Sequence, residues 1–214
     1  MKSRFVLGLI LAAVLVMVAG AAWAVDSQPS AKATAVINKL YAIPMTADDS
    51  PDWVTVHSQT IKTANAKDLF MDVALQCGIY TRTKSELKVG GDSSSATGKI
   101  EVRVKVGDAV AEPGEVVYDR RVQTLNTALY TALLNSAGLP IDNIGYVELI
   151  LETLQAHAFN FVMADVGPGV HTVAVQAKVS SSESGNANAM AAVGMGSTTI
   201  ESVRMIKGED IIFD

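Results

Sequence analysis

Lys99-Ile100-Glu101-Val102-Arg103-Val104-Lys105-Val106 alternates charged and apolar residues over two full turns of a pleat. Side chains of a strand point to opposite faces in turn, so Ile100, Val102, Val104 and Val106 face one way and the four charged residues the other. One face is dry and one is wet, as in an antiparallel sheet rather than a parallel sheet covered on both sides. Upstream, Leu69, Met71, Val73, Leu75, Cys77 and Ile79 repeat at the same spacing, opposite Phe70, Asp72, Gln76 and Tyr80. These two series are the expected core.

Working outward, Val54, Val56 and Ser58 alternate with Thr55, His57 and Gln59, giving an earlier strand. Gly90-Gly91-Asp92-Ser93-Ser94-Ser95 reads as a flexible polar loop, and Pro113-Gly114 as a turn before a strand from Val116 to Gln123. Leu125, Leu129 and Leu133 lie four apart, which allows a helix. Val147, Ile150, Leu151 and Leu154 allow a helix or a strand. Phe159 to Val166 and Val170 to Val179 read as a hairpin around Gly167-Pro168-Gly169, with Phe159, Phe161 and Met163 in phase with Val173, Val175 and Ala177. Ser180 to Asn188 reads as a second small-residue loop, and Ser197 to Ile206 as the last strand. About eight strands with Gly/Ser/Pro turns predict an all-β antiparallel sandwich with one or two short helices, the jelly roll being the favoured form.

The N-terminus has a different character. Lys2 and Arg4 precede an uncharged run from Phe5 to Ala24 that ends Ala22-Trp23-Ala24. A basic start, an apolar segment and small residues at Ala22 and Ala24 form a secretory signal pattern, with cleavage expected before Val25. The competing reading is an uncleaved anchor, since the run is just long enough to span a bilayer; in that case alone would the chain meet a membrane. Residues 25–52, with Pro29, Pro44 and Pro51, read as a linker or N-terminal arm in which Ala31 to Leu40 could form a short helix. The expected organisation is a signal peptide at 1–24, the arm at 25–52 and a β-sandwich domain at 53–214. The protein is expected outside the cytoplasm, extracellular or periplasmic.

Residues 1–24 carry two of the 17 basic residues and none of the 22 acidic ones, so the remainder has a net charge of −7. An acidic surface argues against nucleic acid as a partner. Cys77 is the one cysteine, in phase with a buried series, so it reads as a small core hydrophobe.

Few residues suggest chemistry. His157 and His171 lie far apart along the expected hairpin, so they cannot share an ion; His57 could in principle join either. No Gly-x-Ser-x-Gly elbow, phosphate-binding glycine loop or twelve-residue calcium loop occurs. No catalytic set and no cofactor are predicted, and a metal site is left open. On a strand, Arg120 and Arg121 point to opposite faces, so one is expected at the surface and one buried and paired. Both are candidate interaction residues, as is the apolar tail Ile211-Ile212-Phe213.

Phe159 to Val179 (FNFVMADVGPGVHTVAVQAKV), followed by GSTTIESVRMI from Gly196 to Ile206, resembles the C-terminal strands of jelly rolls in the tumour-necrosis-factor and complement-head superfamily. The same hairpin and the RRVQTL segment resemble secreted prokaryotic proteins of unknown function. The first resemblance implies a jelly roll, and a homo-oligomer, most simply a trimer. It implies no catalytic residues. The expected function is a non-enzymatic structural or assembly subunit of the cell envelope or extracellular space, with a protein or glycan partner. Alternatives are an extracellular ligand-binding module, for instance for carbohydrate, and a metal-assisted hydrolase.

Overall fold

A computed structural model describes residues 33–38, 52–139 and 145–205. The signal residues Ala22, Ala24 and Val25 and the tail Ile211-Ile212-Phe213 lie outside the described residues. The elements are β1 (Ala33–Asn38), β2 (Val54–Thr63), β3 (Lys67–Glu86), β4 (Ser93–Val106), β5 (Ala109–Val110), β6 (Val116–Asn126), α1 (Ala128–Ser136), β7 (Tyr146–Val166), β8 (Gly169–Ser184) and β9 (Asn186–Val203).

One sheet has the order β1-β9-β3-β7; the other runs β2-β8-β4, with β6 and the short β5 both pairing with β4. Every pairing is antiparallel. Apart from β5, successive strands change sheet at every step except from β4 to β6. That strand order is a jelly roll.

The 20-residue β3 is the axis of the molecule, paired with β9 on one side and β7 on the other. Its alternation matches the sequence reading: Leu69, Met71, Val73, Leu75, Cys77 and Ile79 are buried against Ile100, Val102, Val104 and Val106.

Three expectations change and two open readings are settled. The described part of the Ala31 to Leu40 segment is not helical: Ala33–Asn38 is a strand that pairs with Ser197 and its neighbours on β9. The expected hairpin does not form either. Gly167-Pro168 joins strands of different sheets, β7 pairing with β3 and β8 with β2 and β4. Phe161, Val173, Val175 and Ala177 share one core from opposite sides. Matching alternation tells that two strands face the same core, not that they hydrogen-bond to each other. The Val147 to Leu154 segment resolves to strand, and the leucine pattern near Leu129 to helix α1. Finally, the second small-residue loop is almost all strand, while the first keeps Gly90 to Asp92 as a connection between strands. Ser93 already begins β4, and Gly185 alone separates β8 from β9.

The composition of those segments reflects space. A methyl group added at Gly98 would lie 2.7 Å from Ile79 Cγ2, and one added at Gly185 2.5 Å from the Ser93 carbonyl. At Gly98 the facing sheet comes close, and Ser94, Ala96, Ala189 and Ala191 around it are small and buried.

Gly98→Ala is therefore expected to lower unfolding free energy by about 1–3 kcal/mol, read from denaturant midpoints. Gly78→Ala, where the nearest atom to the new methyl is 3.6 Å away, should change stability far less.

Candidate functional site

The three histidines sit in three separate settings. A register shift in β2 between Thr55 and His57 buries both Val56 and His57, where simple alternation predicted His57 on the wet face. The imidazole Nδ1 lies 2.6 Å from Thr198 Oγ1, and Gly196 leaves room for the ring: a methyl there would be 3.1 Å from His57 Cε1. Burial holds His57 below its ordinary pKa of 6.5. His157, on β7, has Nε2 3.4 Å from Asp119 Oδ2, an ion-pair distance without hydrogen-bond geometry. His171 Nε2 lies 2.8 Å from the Gly167 carbonyl at the β7–β8 connection. Among the described residues, no three His, Cys, Asp or Glu side chains gather as a metal site.

Cys77 is fully buried, and desolvation, with the Asp119 charge adding to it, pushes its thiol up to about 12. A thiol in that state is neither a nucleophile nor a metal ligand near neutral pH.

The arginines divide as expected. Arg120 is exposed on β6, whereas Arg121 points inward and donates to the Ile79 carbonyl and to Thr153 Oγ1. It belongs to a row of polar β6 side chains that reach across to the β3–β7 sheet. The Tyr118 hydroxyl accepts from Leu75 N–H and lies 2.8 Å from the Val73 and 2.6 Å from the His157 carbonyl. Burial raises its pKa, so the phenol stays protonated. Gln123 accepts from Thr81 Oγ1 and donates to Thr83 Oγ1 and the Leu149 carbonyl. These links were missed in the sequence. Tyr118 and Gln123 sit in a strand read only by its apolar residues, and a partner 40 positions away leaves no local signal. Every bond in the row ends on structure, so the row holds two sheets together and offers no open reactive group.

The two outer faces differ sharply. On the β2-β8-β4 sheet, Lys99 and Lys178 bracket Glu101 at 3.0 and 3.3 Å, Arg103 pairs with Glu115, and Trp53 lies beneath Arg103 and Lys178. On the other sheet, Arg82 pairs with Glu148 and Lys84 lies over the Tyr146 ring at one end, while Ile37, Met190, Met195, Ile150 and Leu154 are exposed. A shallow groove lined by Ile37, Ala74, Gln76, Ala156, Met195 and Ser197 runs across it. Separately, α1 exposes Leu129, Tyr130 and Leu133, and Thr131 is its buried residue.

No protein-family model matches the chain, and no curated protein matches it. Among solved structures it is similar to one of infectious bursal disease virus, Gx strain, at 10% identity and a TM-score of 0.34, covering 85% of this chain and 35% of that one. The chain thus spans about a third of that protein's length. It is also similar to the Tobacco streak virus coat protein, at 10% identity and a TM-score of 0.23, covering 88% of this chain and all of that one. A structure of that coat protein's dimer gives 12% identity and a TM-score of 0.16, covering 88% and 99%. None of these is a tumour-necrosis-factor or complement-head protein, and the hairpin behind that resemblance is not formed. The jelly roll rests on strand order, and these likenesses say nothing of function.

Two outcomes follow. The unfolded chain binds a proton at His57 as pH falls through 6.5, while the folded chain resists until lower pH. The stability contributed by neutral His57 is therefore full above 6.5 and is lost as pH falls from there toward the depressed folded value. His57→Gln should flatten the drop in denaturant midpoint between about pH 7.5 and about pH 5.5. Cys77 should resist a thiol reagent in the folded protein and react fully once denaturant is added.

Proposed function

We propose that this chain is a non-enzymatic structural or assembly subunit, exported by residues 1–24 and acting in the cell envelope or extracellular space. The observation that carries the reading is the contrast between the two outer faces. One is charged and internally paired; the other carries the Arg82–Glu148 pair at one end but, across its middle and along its edge strand β7, presents large apolar side chains to solvent. Contiguous exposed apolar surface on a folded domain marks contact with another macromolecule. Nothing comparable supports catalysis, since the candidate groups are buried, bonded to structure or isolated.

The carbohydrate-binding alternative needs an open aromatic platform. Trp53 is the tryptophan of the folded region, and its ring is covered by Arg103, 4.2 Å from its centre, and by Lys178 at 4.8 Å. The hydrolase alternative needs His57 to converge with another histidine, and each of the three has a different partner.

Sedimentation velocity of the chain beginning at Val25 tests the assembly reading. Species heavier than the monomer, growing with concentration through the micromolar range, are expected. A monomer at every concentration overturns it. Sequencing the exported protein's N-terminus tests the export step, with Val25 expected first; a chain still beginning at Met1 overturns it.

A further inference from the structure

We propose that two copies of this chain join edge to edge through β7, antiparallel and centred on Leu154, so that two four-stranded sheets become one. The inference rests on the assembly reading above and names its surface.

β7 is the outermost strand of its sheet. Among the described residues its outer edge is engaged through the backbone at one point: Val162 and Glu112 exchange both hydrogen bonds, at 2.8 and 2.9 Å. Backbone groups of successive strand residues point to opposite sides. The residues sharing Val162's parity, from Glu148 through Leu154 to Asn160, therefore direct their N–H and C=O groups outward. Among the described residues, no strand pairs with that stretch.

Natural sheets block such edges with proline, lysine, bulges or short strands. The other outer strands use these devices. β1 has six residues, β2 carries Lys62 and a register shift, and β6 carries Arg120 and a register shift against β4. β7 runs for 21 residues without proline, lysine or glycine, and its own register shift, against β3, lies beyond Val162 and leaves the stretch before it regular. It also exposes large apolar side chains on both of its faces: Leu154 at 65% and Ile150 at 56% on the outer one, Leu149 at 47% and Phe159 at 40% on the inner one. A strand that is apolar on both faces and open along its edge is suited to another strand.

The sequence of β7 selects a second copy as that strand. The stretch before Val162 is centred on Leu154. Pairing two copies there sets Leu154 against Leu154 and Leu149 against Phe159, so half-exposed apolar side chains cover one another. Glu152 then meets Ala156 and Glu148 meets Asn160, so no like charges oppose. Centring on Ile150 instead would set Glu148 against Glu152, which is unfavourable.

Leu154→Cys tests the register. Residues that exchange both hydrogen bonds in an antiparallel pair have Cα atoms about 5.5 Å apart, within disulfide range. Cys77 is buried and does not compete. Under mild oxidation the variant should form a disulfide-linked dimer, whereas Met190→Cys, also exposed but on β9, separated from the β7 edge by β3, should stay unlinked. In parallel, Leu154→Lys places like charges at the centre of the pair and should weaken association by about tenfold or more, with the circular dichroism spectrum unchanged. If the parent chain associates but Leu154→Cys does not link and Leu154→Lys associates normally, the β7 interface is wrong while the assembly reading stands. If the parent chain never associates, the assembly reading itself falls.

Discussion

The structure depends on how closely its two sheets approach along β3. At the Leu69 end the gap is wide and is filled by Leu69, Met71, Leu75 and Phe161. At Ile79 the approach is so close that a single methyl added at Gly98 on the facing sheet would collide with the isoleucine side chain. Beyond that point the inner row of β3 changes from Ile79 to Thr81, Thr83 and Ser85, all buried. Buried hydroxyls are costly unless bonded. Gln123 bonds both threonines, and Ser85 lies 3.0 Å from Ser94 Oγ. The polar row on β6 is thus the counterpart of that change in β3.

How much of this could be read from the sequence follows from the range of each interaction. Period-two alternation is a local property, and it located β3, β4 and their inward residues correctly. It could not separate strands that pair from strands that face one another, so Phe159 to Val166 and Val170 to Val179 looked like neighbours within one sheet. It also took Ser180 to Asn188 for a loop, because small polar residues suit both a loop and a tight inter-sheet contact. The inward turn of His57 follows from one extra residue at a register shift, which inverts the parity of everything after it. The outward and inward roles of Arg120 and Arg121 were legible, since adjacent strand residues always diverge. The partners of Arg121, on β3 and β7, were not.

The contrast between the outer faces has the same origin. Lys99, Glu101, Arg103 and Lys105 announce a wet face in the sequence itself. On the opposite sheet, Ala74, Gly78, Ala156 and Ala192 alternate with buried residues and carry no charge. A row of small neutral residues has no distinctive signature in one strand. It becomes a surface only when four strands, distant in the chain, lie side by side.

The pairing of β1 with β9 sets a schedule for folding. Ala33 meets Glu201 and Asn38 meets Gly196, so the first described strand closes on the last across more than 150 residues. During synthesis β1 emerges early yet has no partner until β9 is complete. Loop closure over such a span is entropically costly, and contacts of this kind form late. The β9 edge of β3 must meanwhile stand open, or be held by something else. The chain therefore cannot finish its fold as it is made: closure of the sandwich is the final act, after the C-terminal strand has been delivered.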